Sequence, residues 1–170
     1  MGSSYFELQD LNDDGELDLL VSNGDNWDYS SVPKPYHGYR IYENKGNGNF
    51  EEAWFYPQYG AVKVMALDFD EDGDLDLATI AFYDELENPE QQFLLFENTG
   101  NMTFKPKYIP EAALGKWMTM DVGDLDADGD MDIVLGSYLH TTLEYTKLVI
   151  QGINELPNVL ILENGKYQKK

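Results

Sequence analysis

Three nine-residue stretches carry enough carboxylates to hold a metal: DLNDDGELD at 10–18, DFDEDGDLD at 68–76 and DLDADGDMD at 124–132. Aligned, they share Asp at position 1, Asp or Asn at 3, Asp at 5, Gly at 6, Asp or Glu at 7 and Asp at 9. Like charges this close repel, so a folded chain tolerates them only where something cancels the repulsion. Oxygens at positions 1, 3 and 5, a carbonyl at 7 and a carboxylate at 9 suit a hard divalent cation. Ca2+ takes roughly six to eight oxygen ligands, and a glycine at position 6 lets the chain turn sharply around it. Gly15, Gly73 and Gly129 stand there. An EF-hand begins the same way but needs a bidentate Glu at position 12 on an exiting helix. Position 12 here is Val21, Thr79 or Leu135, each inside a β-rich run. The loops are therefore expected to link two strands, with Asp18, Asp76 and Asp132 closing the sites. A solvated acidic turn is the plainer alternative; three copies in register count against chance. The expected cofactor is calcium at three sites, pinning each hairpin rather than catalysing. With Asn12 in place of an Asp, the first loop offers side-chain charge −3 against −4 in the others, so it should bind most weakly.

The motifs recur with a period of 58 and then 56 residues, which marks repeated supersecondary units. Ahead of each loop lies a short run, YFEL (5–8), VKVMAL (62–67) or KWMTMDV (116–122), and behind it LDLLVS (17–22), LDLATIAF (75–82) or MDIVLGSY (131–138). A third run follows, YRIYEN (39–44), QFLLFEN (92–98) or NVLILEN (158–164), chased by a Gly/Asn turn of the kind tight hairpins need. FEEAWFY (50–56) and TFKPKYI (103–109) make a fourth. Four antiparallel strands per period is the plan of a propeller blade. The expected fold is all-β, one repeat domain over 1–170, with three four-stranded blades at about 5–57, 61–110 and 115–168. The stretch 139–157 is an insertion in the third unit that the pattern leaves unassigned.

Composition narrows the partners. Half of the 32 acidic residues sit in the three motifs, and the net charge of −21 argues against nucleic acid or an anionic membrane as partner. There are no cysteines, hence no disulfide and no thiolate metal site. No apolar run reaches the length of a membrane span, and residues 1–30 are not expected to act as a signal peptide. The opening Met1-Gly2-Ser3-Ser4 reads as an added start, so the native chain is expected to begin further upstream.

DFDEDGDLDLATI and DLDADGDMDIVLG, with YENKGNGNF and FENTGNMTF, resemble the FG-GAP/VCBS repeat family of integrin-α-like β-propellers, over nearly the whole chain. The resemblance implies calcium ligands at Asp10, Asn12, Asp14, Glu16 and Asp18; at Asp68, Asp70, Asp72, Asp74 and Asp76; and at Asp124, Asp126, Asp128, Asp130 and Asp132. The seventh-position residues would contribute main-chain oxygens. Propellers close with about four to eight blades, so three imply either further blades of a longer chain or self-association.

The expected role is a non-enzymatic binding or adhesion scaffold facing an unidentified protein or glycan, outside the cell, at its surface or in the periplasm, where calcium is plentiful. A carbohydrate-binding module is the alternative: the connection 23–39 gathers Trp27, Tyr29, Tyr36, His37 and Tyr39, and aromatic faces suit sugars. Trp54 and Trp117 read as filling between blades. A propeller hydrolase using paired carboxylates is a third reading, weakened because the best-placed acids are committed to metal.

Overall fold

In the computed structural model the described residues are 2–24, 34–82, 92–113, 115–139, 146, 149–150 and 156–166. Most of the 139–157 insertion lies outside them, as do Trp27 and Tyr29. The described chain forms eleven strands: β1 (Tyr5–Gln9), β2 (Asp18–Asn23), β3 (Gly38–Asn44), β4 (Phe50–Pro57), β5 (Ala61–Leu67), β6 (Asp76–Ala81), β7 (Phe93–Asn98), β8 (Phe104–Lys107), β9 (Trp117–Gly123), β10 (Asp132–Ser137) and β11 (Val159–Leu162). They pair antiparallel, in chain order, into three sheets: β1-β2-β3-β4, β5-β6-β7-β8 and β9-β10-β11. Each sheet is a blade, and together they are a partial propeller. The third blade has three strands among the described residues where four were expected. Its last run stops early because Asn164–Lys166 winds into a 3-10 turn.

The blades stack through two apolar layers. Leu11, Leu20, Tyr39 and Ile41 of the first blade meet Val64, Leu77, Leu94 and Phe96 of the second. Leu67, Phe69, Ile80, Phe93 and Leu95 of the second meet Trp117, Met120, Ile133, Leu135 and Leu162 of the third. The middle blade is covered on both sides, which is why every residue of β6 is buried and why, past Asp76, only Thr79 interrupts its apolar run. Trp54 stands edge-on to Phe96 across the first layer, with ring centroids 5.4 Å apart. Trp117 is sealed in the second layer, its indole N–H donating to the Ala112 carbonyl at 2.8 Å. Both tryptophans therefore fill between blades.

A polar bond also crosses the first layer. The Tyr39 hydroxyl, fully buried, donates to the Ile80 carbonyl at 2.8 Å. Tyr39→Phe keeps the ring but leaves that carbonyl without its donor, and should cost about 1–2 kcal/mol in urea unfolding. A cost near zero would mean that the ring alone holds the two blades together.

Candidate metal centres

Each acidic loop leaves its first strand, folds over itself and enters the next strand at position 9. The same contacts hold all three. The position-1 carboxylate accepts the position-6 glycine N–H: Asp10 from Gly15 at 2.9 Å, Asp68 from Gly73 at 3.1 Å and Asp124 from Gly129 at 3.2 Å. The position-5 carboxylate accepts the position-7 N–H: Asp14 from Glu16, Asp72 from Asp74 and Asp128 from Asp130. The glycines adopt φ of 87°, 93° and 103°, a left-handed conformation open to residues without a Cβ. Position 4 is also left-handed, at Asp13, Glu71 and Ala127. Asp13 is a residue type that tolerates this conformation, but nothing in Glu71 or Ala127 announced it.

In the second and third loops this folding gathers positions 1, 3 and 5. Carboxylate oxygens of Asp68, Asp70 and Asp72 all lie within 4.8 Å of one another, and so do those of Asp124, Asp126 and Asp128. Each trio is able to hold a metal ion. In the first loop Asn12 takes the place of the middle carboxylate, and its amide donates to Asp14 at 3.1 Å and to Glu43 at 3.3 Å.

Two oxygens test whether a cation fits. Among the described residues, Asp68 Oδ1 and Asp130 Oδ1 are buried without a hydrogen-bond donor. A buried carboxylate oxygen left so is costly, and for Asp68, at position 1 of a carboxylate trio, a bound cation removes the cost. The seventh-position side chains are less uniform. Those of Glu16 and Asp74 are exposed, whereas Asp130 is buried.

The structure gives position 9 a task that the motif alone did not convey. Asp18, Asp76 and Asp132 are buried, and each joins the loop to a strand far along the chain. One oxygen accepts the position-2 N–H: from Leu11 at 3.1 Å, Phe69 at 3.2 Å and Leu125 at 2.9 Å. The other accepts the N–H of the asparagine ending the third run of the blade: from Asn44 at 2.9 Å, Asn98 at 2.7 Å and Asn164 at 3.0 Å. The Asn44 and Asn98 amides in turn donate to the position-8 carbonyls of Leu17 and Leu75. These three asparagines were missed as site residues, although the repeated Glu-Asn ahead of each turn was a visible signal.

Desolvation, and then neighbouring carboxylates, raise Asp70, Asp76, Asp126 and Asp130 above their ordinary range. Asp70 is raised with Asp72 beside it, and Asp126 with Asp128. Asp76 and Asp130 are each raised to about 6. For such groups the stability gained by protonation is complete below the ordinary 3.8 and is lost as the pH rises through about 6. Without metal, the thermal midpoint should therefore fall as the pH is raised from about 4 to 7. A midpoint that climbs over that window would show that these carboxylates carry no such burden.

The proposed aromatic surface fares differently. His37 is buried, its Nδ1 accepting the Gly60 N–H at 3.2 Å, with its ring edge-on to Tyr36 at 4.9 Å. Tyr39 lies in the layer between blades, where burial pushes its phenol far above the usual range. Neither ring offers a free face to a sugar, because interblade packing and the β4–β5 corner have taken them. Tyr36 is half-buried; Trp27 and Tyr29 lie outside the described residues.

The sequence signature of the FG-GAP-like repeat family matches residues 10–79 and 86–135. The chain belongs to this family. A search of curated proteins finds no match. The two matched segments take in all three acidic loops of the FG-GAP-like repeats. FG-GAP repeats occur in extracellular proteins and are generally non-enzymatic. Among the described residues, no helix is long and apolar enough to cross a membrane.

Proposed function

We propose that this chain is a calcium-binding section of an FG-GAP propeller that serves as a non-enzymatic scaffold for binding or adhesion outside the cell, at its surface or in the periplasm. Calcium is structural in this reading. The observation that carries it is Asp68 Oδ1, buried and unpaired inside a trio of carboxylates. Hard oxygen donors in flexible loops suit Ca2+ better than Mg2+, which demands a tighter octahedron and gives up water reluctantly. Asp10, Asn12, Asp14 and Asp18 with the Glu16 carbonyl would hold one ion. Asp68, Asp70, Asp72 and Asp76 with the Asp74 carbonyl would hold the second, and Asp124, Asp126, Asp128 and Asp132 with the Asp130 carbonyl the third. A position-9 carboxylate keeps lone pairs beyond the two that its backbone bonds use.

Calorimetric titration of metal-stripped protein tests this, with three calcium ions expected per chain and the first loop filling last. Asn12→Asp adds a negative ligand there and should tighten that site about tenfold, moving it up the filling order. A titration with no heat or no saturable stoichiometry would end the calcium reading. First-loop filling ahead of the others would end the charge argument. The ligand of the scaffold is a protein or a glycan. A lectin-like role now rests on Trp27, Tyr29 and Tyr36 alone, and a glycan array with and without calcium decides between the two.

A further inference from the structure

Asn164 departs from the two asparagines that share its place in the repeat. All three give their backbone N–H to a position-9 carboxylate. The side chains of Asn44 and Asn98 then stay within their own blades. Their amides donate to the Leu17 and Leu75 carbonyls, and their side-chain oxygens accept the N–H two residues on, from Gly46 at 2.9 Å and Gly100 at 3.1 Å. Asn164 instead opens a 3-10 turn, and its side-chain amide donates to the Phe69 carbonyl, at position 2 of the second loop and 95 residues away. Asn164 is 1% exposed and Phe69 6%, so the bond forms where little water competes for it.

Phe69 is thereby held at both of its backbone polar groups. Its N–H donates to Asp76 at 3.2 Å and its carbonyl accepts from Asn164, whose own N–H donates to Asp132 at 3.0 Å. One unbroken series of hydrogen bonds runs from the closing carboxylate of the second loop to that of the third. The Phe69 ring lies in the same core as Ile133 and Leu162 of the third blade. Between the first and second loops the series is broken among the described residues. Leu11 donates to Asp18 at 3.1 Å, but Asn98 turns to Leu75 and leaves the Leu11 carbonyl alone.

We propose that Asn164 is a positioning residue shared by the second and third metal centres, so that calcium at either one raises the affinity of the other, while the first loop fills independently. The proposal rests on the calcium reading above. An ion that fixes Asp76 fixes the Phe69 N–H; Phe69 then holds the Asn164 amide, and Asn164 holds Asp132 for the third ion. The cost of ordering these four residues falls on whichever ion binds first, so the other meets less of it. The effect is equal in both directions by linkage. Repulsion between the two ions acts the other way, and at about 0.15 M salt it is screened beyond about 8 Å.

Calcium titration at about 0.15 M salt, read loop by loop from the amide resonances of Gly15, Gly73 and Gly129, is the test. Each of these amides donates to the position-1 carboxylate of its own loop. Asp126→Ala, at an exposed position, disables the third loop and should lower calcium affinity at the second about fivefold. Asp70→Ala, equally exposed, should lower affinity at the third by the same factor, and neither change should move the first. In an Asn164→Ala background both factors should fall to about one. Asn98→Ala, which cuts side-chain bonds inside the second blade, should preserve them. A loss of charge acting through space, or a merely structural Asn164, would leave the factors intact in Asn164→Ala. A second reading needs no change at Asn164: in Asp126→Ala, calcium at the second loop alone should slow hydrogen exchange of the Asn164 N–H. Second and third loops that fill independently, coupling that survives Asn164→Ala, or unchanged exchange at Asn164 would each overturn the proposal and leave the calcium reading standing. Loops that take up no calcium would end both.

Discussion

Chelation of calcium from the saturated protein should lower the thermal midpoint by roughly 20 °C or more. A site held at a thousandfold excess over its dissociation constant stabilises the fold by about 4 kcal/mol. Domains of this kind have only about 5–15 kcal/mol in all, and each kcal/mol moves the midpoint by about 2–4 °C at this size. Losing two or three sites therefore removes most of the margin. The physical source is in the loops, where the trios Asp68–Asp70–Asp72 and Asp124–Asp126–Asp128 regain their mutual repulsion and Asp68 Oδ1 regains its lack of a partner. Scanning calorimetry with chelator, followed by calcium and by magnesium, reads it. Calcium should restore the midpoint and magnesium should restore little of it. A midpoint indifferent to chelator would mean that the loops stand without metal.

Asp76→Ala should cost about 3–5 kcal/mol in calcium, the largest loss expected from any one loop residue. Two buried backbone N–H groups, of Phe69 and Asn98, lose a charged acceptor together, each bond being worth roughly 1.5–3 kcal/mol. Asp74→Ala, two residues away and exposed, should stay within about 0.5 kcal/mol, because its side chain lies in solvent and the substitution keeps the main-chain oxygen. In chelator the cost for Asp76 should shrink without vanishing. The substitution then also relieves the burial of a carboxylate already raised to about 6. Urea unfolding of both variants with and without calcium separates the roles. If Asp76→Ala equals the parent in chelator, Asp76 serves as a metal ligand and nothing else.

Much of this architecture is written locally. Short apolar and aromatic runs, loops with Gly at position 6 and Gly/Asn turns each act over a few residues, so strand order and loop placement follow from short stretches read alone. The observed strands fall within about a residue or two of their expected bounds, β11 ending two residues early where Asn164 starts a 3-10 turn. The carboxylates at positions 1, 3 and 5 converge for the same reason, since the loop that brings them together is only nine residues long.

Contacts between distant segments obey a different rule. The bond from Asp76 to Asn98 spans 22 residues and that from Asp132 to Asn164 spans 32, so no local pattern requires them. Tyr39 and Phe6 are both aromatic strand residues; one is sealed and the other bare. That difference comes from which side of a sheet meets another blade. Side-chain type and spacing alone settle what a strand and a loop will be, because those depend on neighbours in the chain. Burial, and with it the choice between a sugar-facing ring and a packing ring, belongs to the stacking of one sheet on the next, because water is excluded only where two faces meet.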